Sequence, residues 1–140
     1  METIIGKEFP KKVIPLIDNA KQSIDVIIFD WRWYPQNIGC SAQLFNQAIV
    51  RAKRRGVKIK VLANSDDIIK ILKEIGCEAK KIISKRLLHC KIMIIDDEIA
   101  ITGSHNYTQS AFEMNYELSV ILKDRENIDD IIKFFKQIYG

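Results

Sequence analysis

Apolar positions recur along this chain with two periods, and the switches between them divide it into alternating helices and strands. Val13, Ile14, Leu16, Ile17 and Ala20 fall on one side of a helix over residues 10–22. The run Ser23 to Asp30 is continuously apolar and rich in β-branched residues, as a strand buried on both faces requires. Helical spacing returns over Ser41 to Arg55 through Leu44, Phe45, Ala48, Ile49 and Ala52, with Ser41 as N-cap and Gly56 as stop. Val57 to Leu62 reads as a second strand. A helix over 66–75 follows, capped by Ser65 and ended at Gly76, and Glu78 to Ile83 is a third, weaker strand.

From residue 87 the strands cluster. Leu88 to Ile95, a turn at Asp96-Asp97-Glu98 and Ile99 to Thr102 read as a β-hairpin. A loop with a short helix spans Gly103 to Phe112, Tyr116 to Leu122 is a strand, and Asn127 to Tyr139 is a closing helix. That helix turns Ile128, Ile131, Ile132, Phe134, Phe135 and Ile138 inward. The pattern predicts an α/β fold, a mixed sheet flanked by helices on both faces.

Composition narrows this picture. The 140 residues suit one domain over 1–140, and 47% hydrophobic residues can build a real core. Mixed charge among Ile-rich runs excludes intrinsic disorder, and the length excludes separate cofactor and substrate domains. The apolar runs are strand-sized, far below the ~20 residues of a spanning helix. No cationic segment followed by a long apolar stretch opens the chain, so neither membrane anchor nor secretory signal is expected. Cys40, Cys77 and Cys90 are odd in number and form no zinc spacing, which points to reduced thiols in a cytoplasmic protein. A net charge of +4 is compatible with a nucleic-acid partner without demanding one.

Candidate chemistry gathers in the second half. On a strand, His89 and Lys91 point to one face, placing an imidazole beside a fixed cation. Ser104 and Asn106 follow Gly103, which frees the backbone to turn, and the hairpin brings their loop back beside the imidazole. Lys91, Ser104 and Asn106 then aim donors at one point, as a phosphate oxyanion requires. Glu117, on the next strand, is placed to accept a hydrogen bond from the other nitrogen of His89, fixing its tautomer.

The spaced series His89-x-Lys91-x4-Asp96-x6-Gly103-Ser104-x-Asn106, with Glu117 downstream and Ser23-Ile24-Asp25-Val26 upstream, resembles the signature of the phospholipase D superfamily. Familiar members carry two such motifs. With one, this chain most resembles the short single-motif nucleases, which dimerise to assemble one site. The resemblance implies a phosphodiesterase without cofactor or metal. One protomer's His89 attacks phosphorus to give a phosphohistidine, and the partner's His89 protonates the leaving oxygen. Lys91, Ser104 and Asn106 bind phosphoryl oxygens, Glu117 orients His89, and Asp96 braces its turn. A phospholipid hydrolase or phosphatidyl transferase of the same chemistry, and a non-catalytic dimeric nucleic-acid-binding module, are the alternatives.

Other features admit plainer explanations. Gly-Ser-His-Asn lacks the second glycine of a nucleophile elbow. His89 and Cys90 point to opposite strand faces and cannot share zinc, leaving Cys90 to the core. His105 should point away from the phosphate. Trp31-Arg32-Trp33-Tyr34 is either a hydrophobic plug or, through Trp31 and Trp33, a stacking platform at the cleft mouth. Lys85 and Arg86 lead directly into His89 and are the basic pair best placed to guide a polyanion.

Overall fold

The β-branched run at residues 23–28 becomes the strand about which the sheet changes direction. In a computed structural model, which describes residues 1–140, the order is β1 (Glu2–Ile5), α1 (Glu8–Asp18), β2 (Ser23–Ile28), α2 (Ser41–Arg54), β3 (Lys58–Ala63), α3 (Asp66–Glu74), β4 (Glu78–Lys81), β5 (Lys91–Ile95), β6 (Ile99–Gly103), α4 (Gln109–Glu113), β7 (Leu118–Leu122) and α5 (Arg125–Tyr139). The seven strands form one sheet in the order β1-β7-β6-β5-β2-β3-β4. β2 pairs parallel with β3 and antiparallel with β5. The C-terminal ends of β2, β3 and β6 therefore meet the N-terminal ends of β5 and β7 along one edge, where an open α/β sheet leaves a crevice.

Alternation assigns the two faces. Ile24, Val26 and Ile28 of β2 join Met93 and Ile95 of β5 in a core of 31 buried residues that includes Val13 and Ile17 of α1, Phe45 and Ile49 of α2, and Leu72 of α3. Ile27, Ile92 and Ile94 point the other way, into a smaller cluster closed by Phe135 of α5. Helices thus cover both faces, as the apolar pattern requires.

The apolar pattern mis-set some positions. Leu44 is exposed, whereas Gln43 and Asn46 of the same helix are buried, and Phe134 is 38% exposed while Phe135 is inside. Cys40, not Ser41, occupies the N-cap of α2, and Ser41 instead donates to Oε1 of Gln109. The strand β1 was not anticipated: it has four residues, and its pairing with β7 and the burial of Ile4 in the larger core sustain it. Most consequentially, β5 begins at Lys91, so His89 lies on the coil before the strand.

Candidate active site

Asp96 and Asp97 both take φ 53°, the left-handed pair at the centre of a tight turn that Glu98 N–H closes on Ile95 O at 3.0 Å. Strain in a non-glycine turn requires compensation. It comes from the Asp96 carboxylate, which accepts N–H bonds from Lys21, Gln22 and Ser23 at 2.7–3.2 Å. Burial pushes the Asp96 carboxyl up, but those donors outweigh it and hold its pKa below the usual value. Asp96 thus ties the β5–β6 turn to the start of β2, a wider brace than the turn alone.

At the opposite end of β6, Gly103 runs against β7. A Cβ there would lie 2.4 Å from Ser119 Cα and 2.5 Å from Leu118 O, so only glycine fits. The loop beyond it is pinned throughout. Ser104 Oγ donates to Glu117 Oε1 at 2.5 Å and accepts from Leu118 N–H at 2.9 Å. His105 is buried: its Nε2 donates to Gly6 O at 2.9 Å, and its Nδ1 accepts from Ser119 Oγ at 2.8 Å. Burial lowers its pKa below the ordinary imidazole value, against the carbonyl of Gly6 and the charge of Glu117. Asn106 Oδ1 accepts from Asp30 N–H at 3.1 Å, which leaves its amide N–H groups free as donors.

The exit of β2 joins this loop to the imidazole. Tyr107 N–H donates to Asp30 O and Arg32 N–H to Tyr107 O, a bridge that seats Asn106 beside residues 29–31. The Phe29 ring lies 4.8 Å from the His89 ring, and Lys91 Nζ is 5.5 Å from the centre of Phe29. Lys91 Nζ is 3.1 Å from His89 Nδ1, so the two side chains share a face although His89 precedes the strand. An ammonium can only donate, so Nδ1 accepts and the neutral ring carries its proton on Nε2.

The remaining expected positions divide. Glu117 does not reach His89 within the chain: its carboxylate is held by Ser104 and by Asn115 Nδ2 at 2.9 Å. Trp31 is 2% exposed and its Nε1 donates to Asn46 Oδ1, so it is a core plug and no stacking platform. Trp33 is half-buried and, with Phe29, Arg32, Asn64, Lys70 and Leu87, lines an open groove of about 1120 Å³ beside the site. Lys85 and Arg86 are exposed on the segment leading to His89. No group of three or more His, Cys, Asp or Glu side chains is arranged to hold a metal ion, and Cys90 is half-buried against the smaller core.

Sequence reading missed Phe29, Asn46 and Asn64. Asn46 Nδ2 donates to Arg32 O and Gln43 Oε1, and Gln43 Oε1 also accepts from Tyr34 N–H, so two buried amides of α2 fix the loop after β2. Their one sequence signal is a polar residue at helical positions adjoining apolar ones, which periodicity alone cannot separate from a solvated face.

A family model described as "Cardiolipin synthase, PLD-like domain" matches residues 13–139. A phospholipase D of Rickettsia felis is 35% identical over 116 residues, 79% of this chain and 54% of the relative. The chain therefore spans about half the length of the curated relatives it matches. Among solved structures, NucT from Helicobacter pylori superposes with a TM-score of 0.80 at 20% identity, covering 99% of this chain and 94% of that one. Nuc from Salmonella typhimurium, a phospholipase D family member, gives 0.81 at 21% identity, with 99% and 93% covered. These two likenesses establish the fold.

Proposed function

The chain belongs to the phospholipase D superfamily, and on that premise we propose that it is a metal-independent phosphodiesterase cleaving nucleic acid at a site shared by two copies. The observation that carries the reading is the cation–imidazole pair, Lys91 Nζ at 3.1 Å from His89 Nδ1, beside an Asn106 amide whose N–H groups are unspent. In this reading His89 is the nucleophile and Lys91 and Asn106 are the phosphoryl-oxygen donors, each tied to the exit of β2 through Phe29 or Asp30.

In the proposed reaction, Nε2 of one His89 attacks phosphorus; the P–N bond forms as the P–O bond breaks. The partner's His89 gives its proton to the leaving oxygen. It then takes a proton from water, whose oxygen displaces the first imidazole and releases the phosphate product. In both roles Nδ1 must carry a proton, so the Lys91 ammonium has to leave it, and the attacking ring gives up its Nε2 proton to water and takes one at Nδ1 before attack. An arriving phosphoryl oxygen is a stronger acceptor than imidazole and draws the ammonium across, stabilising the charge that develops. Two neighbouring imidazoles resist being charged together, which divides the roles between identical chains.

Support for pairing comes from the surface. Met114, Tyr116 and Leu118 flank Glu117 and are 80%, 108% and 53% exposed, and Ile5, opposite Leu118, is 58% exposed. Apolar side chains grouped beside a polar site suit contact with a second copy. Nucleic acid is favoured by Lys85 and Arg86 at the approach to His89. Purified protein in EDTA is expected to cleave single- or double-stranded DNA or RNA, and His89→Ala is expected not to. Absence of cleavage on all of these overturns the proposal.

A second reading, a phospholipid hydrolase, draws on the exposed Ile83 and Leu87 on either side of that basic pair, 98% and 71% accessible, which suit an anionic bilayer surface. No helix is long and apolar enough to cross a membrane. Headgroup release from anionic liposomes without nucleic-acid cleavage would select this reading.

A further inference from the structure

We propose that Asn64 is a positioning residue for His89, holding the coil on which the imidazole stands. The inference rests on the assignment of His89 as nucleophile. Leu87, Leu88 and His89 make no main-chain to main-chain hydrogen bond, since the ladder of β5 begins only at Lys91. Ile83 and Leu87 are exposed, so side-chain packing at this segment comes from buried Leu88 and from the His89 ring against Phe29, and neither holds the main chain by a hydrogen bond. One further contact ties its backbone down. Asn64 Nδ2 donates to Leu88 O at 3.0 Å, immediately before the imidazole-bearing residue.

The same nitrogen donates to Phe29 O at 3.1 Å. Both partners are carbonyl oxygens, so the amide orientation is fixed and its two N–H groups are spent. Asn64 follows directly on β3, whose parallel pairing with β2 sets it level with Phe29. It thereby joins the ends of three elements: β3, the exit of β2 and the entry to β5. Phe29 is also the residue whose ring packs on His89 at 4.8 Å. A single side chain thus fixes the backbone preceding the nucleophile and the backbone of the residue whose ring the nucleophile rests against. The Asn106 donor is anchored to the next residue, Asp30. Nucleophile and phosphoryl-oxygen donor are consequently registered to each other through Phe29-Asp30, and Asn64 is the tie on the nucleophile's side.

A residue of this kind acts on turnover more than on substrate affinity, because it sets the alignment of attack. The test compares Asn64→Ala, Asn64→Ser and Asn64→Asp with the unaltered full chain, in EDTA, on whichever phosphodiester it cleaves. Aspartate is isosteric but presents only acceptors to two carbonyl oxygens, serine keeps one donor, and alanine keeps none. Loss of alignment by about 1 Å predicts a fall of about 100-fold in kcat for the Asp and Ala variants, with Asp the lowest and Ser between. KM stays within about threefold. Hydrogen exchange read by mass spectrometry quickens over residues 83–90 and stays unchanged over the Asp30–Tyr107 bridge. A merely structural role would lower the melting temperature without this donor-ranked loss of kcat. Should the Asp variant fail to fold, the Ala and Ser variants carry the test. Values of kcat within about threefold of the parent in Asn64→Ala, with exchange unchanged at 83–90, overturn the positioning role alone. Full turnover by His89→Ala would instead overturn the nucleophile assignment beneath it.

Discussion

Lys91 Nζ lies 3.1 Å from Nδ1 of His89, and no carboxylate reaches either nitrogen of that ring. A cation, not an acid, therefore sets the resting tautomer. This orders the proposed events: phosphate must take the lysine before the histidine can act.

Replacing the cation tests that order directly. Lys91→Met is expected to lower kcat by about 10²–10³-fold, the cost of removing one preorganised donor to a developing oxyanion. In ¹⁵N spectra the His89 proton should rest on Nε2 in the free protein, and inorganic phosphate should shift it toward Nδ1. A spectrum indifferent to phosphate and to Lys91→Met would refute the withdrawal of lysine.

Gly103→Ala brings a methyl group to within 2.4 Å of the backbone of β7. The strands must part, at a cost of about 1–3 kcal/mol. Urea denaturation should show this loss. Turnover should fall as well, because the displaced backbone leads directly into Ser104 and Asn106.

Buried His105 is neutral in the fold, and its pKa lies below the ordinary 6.5. The unfolded chain therefore binds the proton more readily. Stability is complete above about pH 6.5 and falls as pH drops through the window below it, by at most about 1.4 kcal/mol per pH unit. Thermal melts between pH 5 and 7 should show this slope, and His105→Gln should flatten it. An unchanged slope would place the acid sensitivity elsewhere.

Tyr116→Asp introduces a charge into the exposed apolar patch beside Glu117 without touching the core. Sedimentation should show the proposed dimer dissociating, and turnover should become second order in protein at low concentration. A monomer that turns over at the parent rate would rule out a shared site.

How far the chain could be read follows from the range of each signal. Hydrophobic period is local, and it revealed the helices, the central strands and the two covered faces, because burial on one or both sides leaves its mark every second or every third to fourth residue. The motif spacing likewise singled out His89, Lys91, Ser104 and Asn106 as candidates. Asp96 was legible as a turn residue, although its reach to Lys21, Gln22 and Ser23 was not.

Only the tertiary structure decided which polar groups face one another. Glu117 was expected on a strand but lies just before β7, and its carboxylate goes to Ser104 and Asn115, where the tight approach at Gly103 brings β6 and β7 closer together than any pattern records. Trp31 could be read as a core plug or as a stacking platform until Asn46, buried one helix away, supplied its indole with an acceptor. Asn64 left no trace at all, since its meaning lies in two carbonyl oxygens 35 and 24 residues distant. Directional hydrogen bonds between distant segments depend on where the sheet brings strand ends together, and the order of residues along one strand does not contain that information. The sequence by itself thus determined the helices, the central strands and the chemical groups available; the folded sheet decided the edge strand β1, the exact strand ends and which polar groups become partners.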